Sequence, residues 1–130
     1  MNDSIFTKII KGEIPCHKIY EDEKTFAFLD IHPITSGHTL VVPKRQIEFV
    51  WDLSSVDYRA LMRACQLVAK QIQKVLDVPY VGSQIIGVDV PHAHVHLIPF
   101  TTVDQFHNLP NTSTEPDHQV LTSIASRLAF

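Results

Sequence analysis

Histidines stand at 92, 94 and 96 in the run Val90-Pro-His-Ala-His-Val-His-Leu-Ile-Pro-Phe100. Between them lie Ala93 and Val95, and Leu97 follows. A strict two-residue alternation is the period of a half-buried β-strand, because successive side chains point to opposite faces. All three imidazoles are therefore expected on one face, with Ala93, Val95 and Leu97 on the other, in the core. Each imidazole carries two ring nitrogens that need partners or water, so such a row calls for chemistry more than for packing.

Two chemistries suit three alternating histidines. In the first, they bind a metal. Neighbours at i and i+2 on a strand lie roughly 6.5–7 Å apart at Cα, and the outer pair about 13 Å. A zinc ion would then use two of the row and draw further ligands from Asp89, His38 or His107. In the second, one ring is a nucleophile or a general acid–base. A histidine that attacks phosphorus needs its other nitrogen held as a donor, so that the attacking nitrogen is bare. It also needs donors around the phosphoryl oxygens. A middle histidine with a neighbour on each side has both. A third alternative is a row of solvent-facing histidines with no function.

The rest of the chain sets the frame. At 130 residues it fits one domain, with a core over about 4–100 and a tail with a terminal helix over 101–130. The formal net charge of −3 argues against phosphate-driven binding to a nucleic-acid polymer. No apolar run approaches the ~20 residues that span a bilayer. The opening Met-Asn-Asp-Ser-Ile-Phe lacks the basic-then-apolar order of a signal peptide. The two cysteines, Cys16 and Cys65, share no metal-ligand spacing. The expectation is a cytoplasmic protein without membrane partners, with Cys65 a buried thiol.

Asp3 is the expected cap of a short helix over about 4–11, with Gly12 past its end. Strands are expected over 17–21, 24–30, 39–42 and 80–86, and in the histidine run. The clearest helix spans about 55–76. Ser54 caps it, and Leu61, Cys65, Val68, Ile72 and Leu76 form one apolar stripe. That stripe is a candidate partner surface. Residues 101–113 read as loop. Thr114-Glu-Pro-Asp117 reads as the start of a last helix carrying Leu121, Ile124 and Leu128. No strand–helix–strand alternation repeats. The fold class is therefore α+β: an antiparallel sheet of about five strands, one long helix and a short helix near each end.

His92-Ala-His-Val-His-Leu-Ile98 resembles the signature of the histidine-triad (HIT) superfamily. Ile9-Ile-Lys-Gly-Glu-Ile-Pro15, Phe26-Ala-Phe-Leu-Asp-Ile-His-Pro33 and Gly37-His-Thr-Leu-Val-Val-Pro-Lys-Arg45 resemble that family's other segments, in the same order. The resemblance implies a HIT-like fold and a nucleotide-binding hydrolase or transferase. It would cleave a nucleoside 5′-phosphoryl bond in a phosphoramidate, an aminoacyl adenylate or a dinucleoside polyphosphate. It implies His94 as nucleophile through a nucleotidyl-histidine. His92 would orient that ring through its carbonyl, and His96 would contact phosphoryl or leaving-group oxygen. Asp30 would accept from ribose hydroxyls, while Phe28, Leu29, Ile31 and Ile14 wall the base pocket. Gly87 would let backbone approach phosphate, with Asp89 beside it. His38 is expected to be structural, and Lys44 and Arg45 solvated. A homodimer binding a small nucleotide is implied.

The chain departs from the family's pattern in two places. Many relatives carry a structural zinc, and the corresponding positions here are Ser4, Thr7 and Gln46. No metal or other cofactor is therefore expected. Before the triad, the run Gly82–Pro91 has no asparagine, and Val88 and Asp89 replace the usual glutamine and serine or threonine. That leaves open a nucleotide-binding or regulatory protein with little turnover.

Overall fold

A computed structural model describes residues 2–130. Its element order is α1 (Ile5–Ile10), β1 (Lys18–Glu21), β2 (Thr25–Leu29), β3 (Thr39–Pro43), α2 (Ser55–Leu76), β4 (Tyr80–Gln84), β5 (Val95–Phe100), α3 (Val103–Phe106) and α4 (His118–Leu128). A single 3₁₀ turn, Val50–Asp52, precedes α2. The strands form one antiparallel sheet in the order β1-β2-β3-β5-β4. No helix among the described residues is long and apolar enough to cross a membrane.

Central strands β2 and β3 are buried at every position, because the sheet is covered on both sides. On one face Ala27, Leu29, Val41, Val95 and Leu97 meet Leu61, Val68 and Ile72 of α2 and Leu121 and Leu128 of α4. On the other, Phe26, Phe28, Leu40 and Val42 meet Phe6 of α1. The apolar stripe of α2 is thus consumed by the protein's own core and offers no partner surface. Cys65 is buried in that core, which pushes its thiol up to about 12.

Two helix starts differ from expectation. Ser4, not Asp3, caps α1, its Oγ accepting from the Thr7 N–H at 3.0 Å. Asp3 pairs with Lys11 at 2.7 Å instead. The last helix begins at His118, three residues beyond Glu115, because Asp117 is the cap that reaches the Val120 N–H at 3.2 Å. The segment after β5 is also not all loop. Gln105 and Thr102 close a capping box around α3.

The histidine run enters the sheet late. Regular pairing starts at Val95, opposite Val41. Continued, the register would set Ala93 against Pro43, which has no N–H to give. Ala93 N–H goes instead to Ile47 O at 2.7 Å, and His92 N–H to Val90 O at 2.8 Å. Only His96 is therefore a strand residue. The alternation still holds, since Ala93, Val95 and Leu97 all enter the α2-side core.

Two glycines with positive φ give a paired prediction. Gly37 (φ 97°) would place a Cβ 2.5 Å from Leu76 Cδ1, whereas Gly12 (φ 82°) has nothing within 4 Å. Gly37→Ala combines backbone strain with overpacking and is expected to cost roughly 3 kcal/mol, against about 1 kcal/mol for Gly12→Ala. Urea unfolding of the two variants checks the difference.

Candidate active site

The hydrogen-bond partners assign the proton on each ring. His94 Nδ1 lies 2.7 Å from the carbonyl oxygen of His92. A carbonyl only accepts, so Nδ1 carries the hydrogen, and Nε2 of the neutral ring is bare. His92 is held from both sides. Its Nε2–H donates to Pro43 O at 2.7 Å, which leaves Nδ1 to accept from Ser4 Oγ at 2.7 Å. Burial pushes its pKa down, keeping the ring neutral.

The same accounting reaches His96 through a fourth histidine. Ile34 N–H donates to His38 Nδ1 at 3.0 Å. His38 Nε2–H then faces His96 Nδ1 at 2.9 Å. His96 is left with its hydrogen on Nε2, a buried atom with no protein partner among the described residues. Burial, reinforced by the neighbouring ring, lowers His38 to about 3 and His96 to about 4. Both are neutral at physiological pH. His38, expected to be only structural, sets the tautomer of a triad histidine. Its position beside Gly37 gave no local sign of this, because His96 is 58 residues away.

Phe6 was also missed as a site residue. Its ring meets His92 and His94 edge-on at 5.8 and 5.1 Å, and Phe28 at 5.5 Å. The helical stripe Ile5-Phe6-Ile9 was legible, but not what it would cover.

Asp30 leaves β2 at its end. Oδ1 accepts from His32 N–H at 2.8 Å, closing the turn, and Oδ2 lies 3.7 Å from His38 Nε2. Burial raises its pKa, partly offset by the His32 amide. Phe28 shares the α1 side of the sheet with the triad. Leu29 does not. Alternation along β2 turns its side chain into the α2-side core, so the pocket-wall role implied for that side chain fails. Ile14 is half-buried and Ile31 exposed. Ile31 lines a cavity shared with Pro33, Pro116 and Val120, away from the triad. Gly87 has φ 84°, and a Cβ there would meet Phe49 at 3.6 Å, so the turn conformation alone demands glycine. Asp89 is exposed, and its charge acts on both His96 and Asp30. Lys44 pairs with Glu21 at 2.8 Å and Arg45 with Asp57 at 3.0 Å.

Metal ligation has two places to be tested. Among the described residues, Asp30, His38 and His96 bring ligand atoms within 4.8 Å of one another. There a metal would have to displace the His38–His96 hydrogen bond. His107, the other distant candidate, ends α3. At the second, Ser4 Oγ and Thr7 Oγ1 lie 2.7 and 3.3 Å from His92 Nδ1, and Gln46 Oε1 accepts from Thr7 Oγ1. Two hydroxyls and a carboxamide are not zinc donors, so these residues do not fit the ion.

The site thus pairs the bare nitrogen of a largely buried imidazole with an N–H donor on the adjacent ring, 5.2 Å away between centroids. The sequence matches the HIT domain over residues 11–103. The chain belongs to the HIT family. Among relatives of this HIT protein is an adenosine 5′-monophosphoramidase of Schizosaccharomyces pombe, 38% identical over 96 residues, covering 73% of this chain and 72% of the relative. A crystal structure of a Hit-like protein from Bartonella henselae matches with TM-score 0.83 and 28% identity, over 98% of this chain and 95% of that one. A zinc-bound histidine triad protein from Mycobacterium smegmatis matches with TM-score 0.75 and 27% identity, over 95% and 94%.

The depressed histidines predict acid sensitivity. His38 takes a proton near pH 6.5 when unfolded but only at about 3 when folded. Its contribution is complete above pH 6.5 and is lost as pH falls toward 3, because the unfolded chain binds the proton first. The slope is about 1 kcal/mol per pH unit below pH 6. Urea midpoints at pH 7 and 5 should show this fall, and His38→Gln should make it shallower.

Proposed function

We propose that this HIT protein cleaves nucleoside 5′-phosphoryl bonds through a nucleotidyl-histidine at His94. The observation that carries the reading is the 2.7 Å bond from His94 Nδ1 to the His92 carbonyl, which leaves Nε2 bare and aimed outward from a fixed ring. Nε2 attacks the α-phosphorus and the bond to the leaving group breaks. His96 Nε2–H, otherwise an orphan whose burial costs about 1–3 kcal/mol, donates to a phosphoryl or leaving-group oxygen. Water then attacks phosphorus, the P–N bond breaks, and nucleoside monophosphate departs. Asp30 Oδ2, not used by the turn, accepts from ribose hydroxyls, and Phe28 and Ile14 wall the base. The phosphoramidase named among the relatives supports this substrate class.

Incubation with an adenosine phosphoramidate and with diadenosine polyphosphates, read as released adenosine monophosphate and as adduct by intact mass, tests it. His94→Ala is expected to abolish the adduct and slow turnover at least about 10²–10⁴-fold. Tight nucleotide binding without turnover by the wild type would support the regulatory reading that Val88 and Asp89 motivate.

The same reading includes a homodimer joined through β4. Edge strand β1 is guarded by a bulge after Lys18, by the Lys18–Glu21 ion pair and by Phe130 N–H on Ile19 O. Edge strand β4, Tyr80-Val-Gly-Ser-Gln84, carries no charge and exposes Tyr80. An unguarded edge is one that another copy can extend. Sedimentation equilibrium is expected to give twice the chain mass at micromolar concentration.

A further inference from the structure

We propose that Ser4, Thr7 and Gln46 are positioning residues, a metal-free hydrogen-bonded anchor that holds His92 and through it the nucleophile. They stand where the resemblance places the zinc ligands of relatives, and the fold brings Gln46 to Thr7 across 39 residues and Ser4 to His92 across 88. Ser4 Oγ is 2.7 Å from His92 Nδ1 and 3.2 Å from Thr7 Oγ1. Thr7 Oγ1 is 2.7 Å from Gln46 Oε1 and 3.3 Å from His92 Nδ1. Gln46 Oε1 also accepts from Ser4 N–H at 2.7 Å.

Every proton in this cluster has one direction. Gln46 Nε2 donates to Asn2 O at 2.9 Å, which orients the amide and turns its oxygen inward. That oxygen takes the Thr7 hydroxyl hydrogen. Ser4 Oγ accepts from Thr7 N–H at 3.0 Å, so its own hydrogen is available for His92 Nδ1. His92 Nδ1 needs it, because the ring's only hydrogen is committed to Pro43 O. With both nitrogens engaged, the fully buried ring cannot rotate without stranding a polar atom, at about 1–3 kcal/mol. The ring anchors the His92 peptide, and that peptide's carbonyl holds His94 Nδ1–H. Residues at the N-terminus thus reach the attacking nitrogen through one ring and one carbonyl.

The kinetic part of the test rests on the function proposed above, and the spectroscopic part does not. Long-range ¹H–¹⁵N spectra of the imidazoles are expected to show His94 wholly as the Nδ1–H tautomer in the wild type. In Ser4→Ala it should become a mixture, with the His92 Nδ1 resonance moving to that of an unbonded nitrogen. Thr7→Val, which keeps the shape, should produce a smaller change of the same kind, and it stands in if Ser4→Ala fails to fold. With an adenosine phosphoramidate, Ser4→Ala should lower kcat about 10-fold with KM within about twofold, and Ser4→Thr should recover it. Zinc titrated into the wild type should leave the His92 Nδ1 resonance unmoved. A wild type without turnover would sink the function yet leave the tautomer result to decide the anchor. An unchanged His94 tautomer in both variants, or zinc capturing His92 Nδ1, would overturn it.

Discussion

The hydrogen bond from His94 Nδ1 to the His92 carbonyl governs the site. It selects one tautomer and leaves the other nitrogen free to react. It also explains a local irregularity. A ladder carried on through 92–94 would commit these backbone groups to β3. Pro43 ends that ladder, Ala93 bonds to Ile47, and the carbonyl of His92 is left for a ring two residues on. The break in the strand is therefore part of how the His94 tautomer is set.

The sheet separates stability from chemistry. Its α2 side is apolar and closed, with Leu61, Val68, Ile72 and Val41 fully buried. Its α1 side carries polar rings among phenylalanines, and each ring nitrogen there is accounted for, save the bare Nε2 of His94 and the unpartnered Nε2–H of His96. Low polarity around the rings keeps His92, His38 and His96 neutral, which is the state in which one nitrogen accepts and the other donates.

Much of this was legible in the chain because the governing patterns are local. The 3.6-residue stripe from Leu61 to Ile72 and the cap at Ser54 set α2 at Ser55–Leu76, as expected. Alternation placed Ala93, Val95 and Leu97 in the core. Where the structure departs from the sequence pattern, the outcome depends on which neighbour a residue meets. Leu29 and Phe28 are neighbours in the sequence but face opposite sides of the sheet, so only Phe28 shares the triad's side. Asp3 and Ser4 are both good caps, and the choice between them falls to Ser4, whose hydroxyl also meets His92.

The sequence by itself determined the element order, the α+β class, the core stripe and the presence of three alternating histidines, since each follows from side-chain period and local capping. Only the tertiary structure decided that His38 sets His96, that Phe6 packs on the His94 ring, and that Ser4, Thr7 and Gln46 close on His92. Those are contacts across 39 to 88 residues. A ring's tautomer is chosen by whichever donor or acceptor folding brings to it, and no local pattern carries that information.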